Sequence, residues 1–325
     1  MDKPEEKAGG APRAHRTGRA PLPSQCRKEA EDDAQAPARV QMLLESPSYR
    51  PADEDVAFLR SPAMRGVRLQ LDFWKAEELL LAHGIDHTVV VYGSTRIPEP
   101  AAACRKLELA RLAARAAPHD PALARAVRIA QQLVEHSRYY EMAHEFGQLI
   151  SRSDSPARTR GMVVVTGGGP GIMEAANRGA FDAGMPTVGL NITLPHEQFP
   201  NPYISTPLCF QFHYFAIRKL HLLRRARAAV FFPGGYGTFD EMFEVLTLLQ
   251  TDKIAALPVV LVGSAYWRRA FDVEFLIDEG MIDVEDAKLF QYAESAREVC
   301  EIIDRWYGAA PRSDAAPTAA RTPST

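Results

Sequence analysis

The 325-residue chain is 46% apolar with a formal net charge of −3 and a pI near 6.3, a balance that predicts a packed core and removes electrostatic support for nonspecific nucleic-acid binding. Cys26, Cys104, Cys209 and Cys300 lie far apart with no C-x-x-C pair, which argues against a disulfide framework or zinc site and suits a reducing cytoplasm. The N-terminus lacks the apolar core of an export signal and no apolar run reaches the ~20 residues of a membrane span, so a cytoplasmic protein with no membrane partner is expected.

Residues 1–60 are rich in Pro, Ala, Arg and acidic residues, with almost no aromatic or β-branched residue before Val40, and are expected to form a disordered arm. A single α/β domain is expected over 61–308. It opens with Leu69, Leu71, Phe73, Trp74 and the run Leu79 to Leu81, which predict helices packed against it. Five apolar runs follow, "HTVVVYG", "GMVVVTGG", "PTVGLNI", "AAVFFPGG" and "LPVVLVGS". Strands covered on both faces read this way, so these predict a parallel sheet with helices on both faces. The connection between the first two runs, about 98–151, far exceeds the ~12 residues of a minimal crossover and breaks at "APHDP", which predicts an inserted helix or helical hairpin. "CFQFHYFA" from Cys209 is ambiguous and is read as a short strand running into the helix "HYFAIRKLHLLRRAR". Residues 309–325 are low in complexity and expected to be disordered.

Four of the five strands end in glycine, and ligands of open α/β sheets sit beyond the carboxyl ends of the strands. The loops beginning at Gly93, Gly167 and Gly234 are therefore expected to converge on one crevice. "TGGGPGIMEAANRGA" follows a strand and opens a helix, so the amides near Gly168, Gly169 and Gly171 can approach an anion. It is neither G-x-G-x-x-G nor a P-loop, which disfavours a dinucleotide dehydrogenase and a P-loop NTPase. "PGGYGT" repeats the design with Gly234, Gly235, Tyr236, Gly237 and Thr238, and two such loops at one sheet edge favour a phosphate-bearing ligand. Ser94 and Arg96, ending the first strand, either touch that ligand or form a turn with Ser94 as a cap. Asn177 and Arg178 either face a nucleotide or lie on the helix surface, and His213 is either a proton donor or a packed core residue.

Thr238 followed by Glu241 matches a capping box, in which the glutamate serves the helix N-terminus. The same carboxylate also points at whatever lies beside the phosphate. Glu244 adds a second negative charge with no basic residue at 248 to offset it. Arg218 and Lys219 lie too early in their helix to complement its dipole, unlike Arg224, Arg225 and Arg227. A planar guanidinium at 218 can grip a phosphate or pair with Glu241.

"TGGGPGIMEAANRGA", Arg218-Lys219 and "PGGYGTFDE" together resemble the Lonely Guy (LOG) family of nucleoside 5′-monophosphate phosphoribohydrolases, often mislabelled lysine decarboxylases. The likeness runs from about Thr88 to Trp306. It implies a Rossmann-like, doubly wound fold, usually a homodimer, and hydrolysis of a purine nucleoside 5′-monophosphate to free base and ribose 5-phosphate. It further implies that Arg218 and Glu241 form the catalytic pair, that Gly234 to Thr238 hold the 5′-phosphate, and that Lys219 and Thr247 touch the substrate. The chemistry needs no metal or other cofactor. Tyr203 to Phe212 contains no carboxylate where the family's acidic substrate contact is expected. The alternative is a noncatalytic carrier of a nucleotide or molybdenum-cofactor-type ligand, which needs the glycine loops but not the carboxylate of Glu241. Lysine decarboxylation is disfavoured, because an anion crevice offers no home to a dicationic amine.

Overall fold

The computed structural model describes residues 26–152, 161–195 and 199–309. The chain divides into two units, Met1–Arg68 and Leu69–Thr325. Within the first, the part of the predicted arm that is described carries two short helices, α1 (Ala36–Glu45) and α2 (Val56–Arg60), with Asp55 capping the latter through the Phe58 amide at 3.0 Å. Residues 1–25 and the tail beyond 309 lie outside the described residues.

Helix α3 (Arg65–Ala82) leads into the second unit, where Ala76, Glu77 and Leu80 are buried while Leu71 and Trp74 stay exposed. The first predicted strand is β1 (Thr88–Tyr92). The long crossover then forms three helices, α4 (Pro100–Ala116), α5 (Pro121–His136) and α6 (Arg138–Arg152). The "APHDP" break is the turn between the first two: Pro121 occupies the first helical turn of α5, and Asp120 accepts from the Ala122 amide at 2.8 Å. Helices α4 and α5 pack against each other as a hairpin. Helix α6 is the true crossover element, burying Tyr139, Tyr140, Phe146 and Ile150.

The remaining elements are β2 (Val163–Thr166), α7 (Ile172–Asp182), β3 (Thr187–Ile192), β4 (Cys209–Phe212), α8 (Phe215–Arg224), β5 (Ala226–Phe231), α9 (Tyr236–Gln250), β6 (Val259–Val262), α10 (Ser264–Ala270), α11 (Val273–Asp278), β7 (Gln291–Ala293) and α12 (Ala296–Ala309). All seven strands join one parallel sheet in the order β4-β3-β2-β1-β5-β6-β7. Central β1 shows why its sequence reads as an unbroken apolar run. Val89 and Val91 enter a core with α6, α7 and α12, whereas Val90 and Tyr92 enter a second core with α3, α8 and α9. The fold is thus doubly wound, as expected. "CFQFHYFA" forms strand β4 and runs into the start of α8. The sheet also has a seventh strand, β7, that no apolar run announces. Among the described residues, no helix is long and apolar enough to cross a membrane.

Candidate active site

Strand β1 is followed in the sheet by β2 on one side and by β5 on the other, so the winding direction reverses between β1 and β5. The connections leaving these two strands part in opposite directions and open a crevice at their carboxyl ends. A cavity of about 680 Å³ occupies it, within the range of small-molecule sites. Of the predicted contacts, Gly93, Ser94, Gly234, Gly235, Tyr236, Gly237, Thr238, Arg218 and Glu241 line this cavity. Residues 167, 173, 192, 194 and 215 add an apolar wall led by Met173, Ile192 and Leu194, and Tyr266 closes one side.

Backbone geometry holds the loops close. Gly171 has φ +75°, and a Cβ there would lie 2.4 Å from the Ser94 carbonyl oxygen, so the β2 loop can press on the β1 loop only through a glycine. A Cβ at Gly234 would meet the Thr238 side chain in the same way. Gly168, Gly169 and Gly171 do not line the cavity. Their loop is tied from behind: the Gly168 amide donates to Thr166 Oγ1 at 3.0 Å, and Asn201 Nδ2 donates to the Gly169 carbonyl at 3.1 Å. Asn177, read as facing a nucleotide or the helix surface, does neither. It is fully buried and accepts from Thr166 Oγ1 and Asn201 Nδ2 at 2.7 and 2.9 Å. Arg178 pairs with Glu99 at 3.5 Å.

The capping box does not form. Helix α9 begins at Tyr236 with Gly235 as its N-cap, which makes Thr238 the third residue of the helix and buries it. Glu241 is then nearly two turns in, beyond reach of the terminal amides. No side chain caps this N-terminus, so its free N–H groups and dipole remain available to an anion.

Glu241 turns instead to Arg218, whose Nη2 donates to Oε1 at 2.7 Å. Both side chains are nearly buried. Burial pushes the Glu241 carboxyl up, Arg218 and Lys219 hold it down, and Asp240 and Glu244 push it up again, leaving it at about 7. Arg218 also reaches towards the other glycine loop, with Nη1 3.7 Å from the place a Cβ of Gly167 would occupy. Its Nε is buried without a hydrogen-bond partner among the described residues. A buried guanidinium N–H left without an acceptor is costly, which marks a place for one.

Lys219 faces away from the cavity, with Nζ 2.7 Å from Asp240 and 3.1 Å from Glu244. The negative charge of Glu244, expected to stand unbalanced, is therefore offset from α8. Neither residue lines the cavity, nor does Thr247, which is exposed and whose carbonyl accepts the Thr251 hydroxyl at 2.7 Å. His213 is exposed rather than packed in the core, and it does not line the cavity either.

Helix α8 is itself braced by α3. Asp72 Oδ2 accepts from the amides of His213 and Tyr214 at 2.8 and 2.9 Å and so caps α8 from another element. His221 meets the Phe73 carbonyl at 3.1 Å, and Arg224 and Arg225 reach Glu77 at 3.2 and 2.8 Å. Those arginines, read as dipole compensation, are the other half of this brace, while Arg227 Nε donates to His87 Nδ1 at 3.1 Å.

Residues 173–303, which hold Arg218, the Gly234 loop and Glu241, match the family model described as "Possible lysine decarboxylase". The site-bearing segment is similar to Lonely Guy proteins. Cytokinin riboside 5′-monophosphate phosphoribohydrolase LOG2 of Arabidopsis thaliana is 25% identical over 175 residues, 53% of this chain and 76% of the relative. The enzyme LOG of Oryza sativa subsp. japonica is 30% identical over 145 residues, 43% of this chain and 58% of its own length. Among solved structures, the molybdenum cofactor binding protein of Rippkaea orientalis is 23% identical with a TM-score of 0.35, covering 52% of this chain and 87% of that one.

Proposed function

We propose that the protein hydrolyses the N-ribosidic bond of a purine nucleoside 5′-monophosphate, AMP or an N6-modified AMP, to free base and ribose 5-phosphate. The observation that carries this reading is the Arg218–Glu241 pair at 2.7 Å, set in the cavity between the two glycine loops. The uncapped start of α9 and the amides of Gly234 to Thr238 receive the 5′-phosphate. Arg218 holds Glu241 in place with one nitrogen and offers its remaining N–H groups to the phosphate. Met173, Ile192 and Leu194 provide an apolar surface for the base.

Breaking the N-glycosidic bond builds positive charge on the ribose, and a fixed carboxylate opposite that charge stabilises the oxocarbenium-like transition state. Glu241, when ionised, meets the charge and orients a water. The water oxygen bonds to C1′ as the bonding pair leaves with the base nitrogen, and the proton released by water passes to the base. Anchoring the phosphate positions the sugar for attack, so part of the binding energy lowers the barrier.

Incubating the protein with AMP, GMP, CMP and adenosine, and following free base and ribose 5-phosphate by chromatography, tests the reading. Release from AMP and none from adenosine is expected. Nucleotide binding without release would return the crevice to a carrier and reduce Glu241 to a structural partner of Arg218.

A further inference from the structure

Next to the candidate active site lies a second cavity of about 500 Å³, walled by the end of α5, the start of α6 and helix α10. No carboxylate lines it, whereas Arg138 and Arg269 both do. Neither arginine forms an ion pair with an acidic side chain among the described residues. Arg138 is held in place without one: its guanidinium lies 4.8 Å from the centroid of the Tyr139 ring, and Nη2 donates to the Tyr139 hydroxyl at 3.0 Å. Tyr139 is itself buried, so this orientation is fixed from the core. The His136 ring stacks on Tyr139 at 5.9 Å and meets Tyr266 edge-on at 6.4 Å, giving the cavity an aromatic side. Burial and the charge of Arg138 hold the His136 pKa down, which leaves a neutral ring able to donate or accept.

We infer that this cavity is a second anion site, built for a phosphate-bearing small molecule gripped by Arg138 and Arg269. Two guanidinium forks without a protein counter-ion match a dianionic phosphate, and the aromatic side accommodates the rest of the molecule. Four of the lining residues belong to α5 and α6, ahead of the segment that matches the family model. The occupant would not be remote from the first cavity. Tyr266 lines both, and its hydroxyl donates to the carbonyl of Gly234, which heads the α9 loop.

Calorimetric titration of the full chain with pyrophosphate at fixed ionic strength tests the assignment. Two sites per chain are expected. Arg138→Ala with Arg269→Ala should abolish one, each single change weakening it about 10-fold or more, and both residues are exposed enough to replace without harming the fold. Arg218→Ala should abolish the complementary site and leave this one. A double variant that binds as the parent does, or a parent whose only site vanishes with Arg218, overturns the inference. A parent whose only site vanishes with Arg138 and Arg269 supports it and counts separately against the proposed active site.

Discussion

Helix α8 carries a buried arginine–glutamate pair near each end, and the two differ in how their charge is balanced. At the far end Glu77, 4% exposed, faces Arg225 at 2.8 Å and Arg224 at 3.2 Å. Burial pushes this carboxyl up, but two arginines outweigh it and hold it below the ordinary range. At the cavity end Glu241 faces Arg218 at 2.7 Å and rises to about 7. Burial is the main cause, and a smaller one lies on its own helix. Asp240, Glu241 and Glu244 share two cations, and Lys219 is already engaged by Asp240 and Glu244. One pair is over-neutralised and locks the helix to α3; the other is under-neutralised and keeps a carboxylate poised beside a cavity.

The sharpest way to break this contrast is to remove the charge of each glutamate alone. Under the proposed chemistry Glu241→Gln should lower kcat/KM for AMP by about 10³-fold, roughly 4 kcal/mol of transition-state stabilisation. Its thermal unfolding midpoint at pH 8 should stay level or rise, since the burial cost of the anion is removed. Unchanged activity would sink the mechanism. Glu77→Ala should do the opposite, leaving Arg225 buried without its partner and costing about 3 kcal/mol in urea unfolding. Any folded fraction should retain catalysis.

The two carboxylates should also pull stability in opposite directions with pH. Glu241 is raised in the folded state, so the native protein holds its proton longer and stability falls as pH climbs from 4.5 to about 7. Glu77 is depressed, so its contribution is complete above 4.5 and is lost as pH drops below that value. Urea midpoints across pH 3 to 9 check this: Glu241→Gln should flatten the decline towards neutrality, and Glu77→Gln should flatten the acid limb. Under the proposed chemistry, kcat/KM of the parent protein should rise with pH around an apparent value near 7, because only the ionised carboxylate can meet the developing charge.

How much of this was legible in the sequence follows from burial and from distance along the chain. Strands β1, β2, β3, β5 and β6 announced themselves because residues covered on both faces form unbroken apolar runs. The strands that were ambiguous or missed, β4 and β7, are the two edges of the sheet. Cys209 and Gln211 of β4 and Gln291 of β7 are exposed, so neither reads as a buried run. Arg218 and Glu241 stood out by type and spacing, and the structure brings them together. The capping box failed because Gly235 starts the helix ahead of Thr238, a choice that local spacing alone does not reveal. Lys219 was read towards a ligand because its partners lie on another helix. Tyr266 had no local signal beyond following a strand.

The least legible element is the brace on α8, and it supplies the subtlest test of the comparison. Asp72 lies 141 residues from the amide it caps, so no motif connects them. It fixes the start of the helix one turn before Arg218, whose amide bonds back to the Tyr214 carbonyl at 3.1 Å. Asp72→Ala should cost about 1 kcal/mol of stability, the ordinary value of a lost cap. A purely structural role would end there. A positioning role requires more: Arg218 would settle less well between Glu241 and the phosphate, lowering kcat while the KM for AMP changes little. Asp72→Asn keeps an accepting oxygen and should restore most of both. If Asp72→Ala loses stability with kcat intact, the first turn of α8 tolerates play at its start, and the placement of Arg218 rests on its pairing with Glu241 alone.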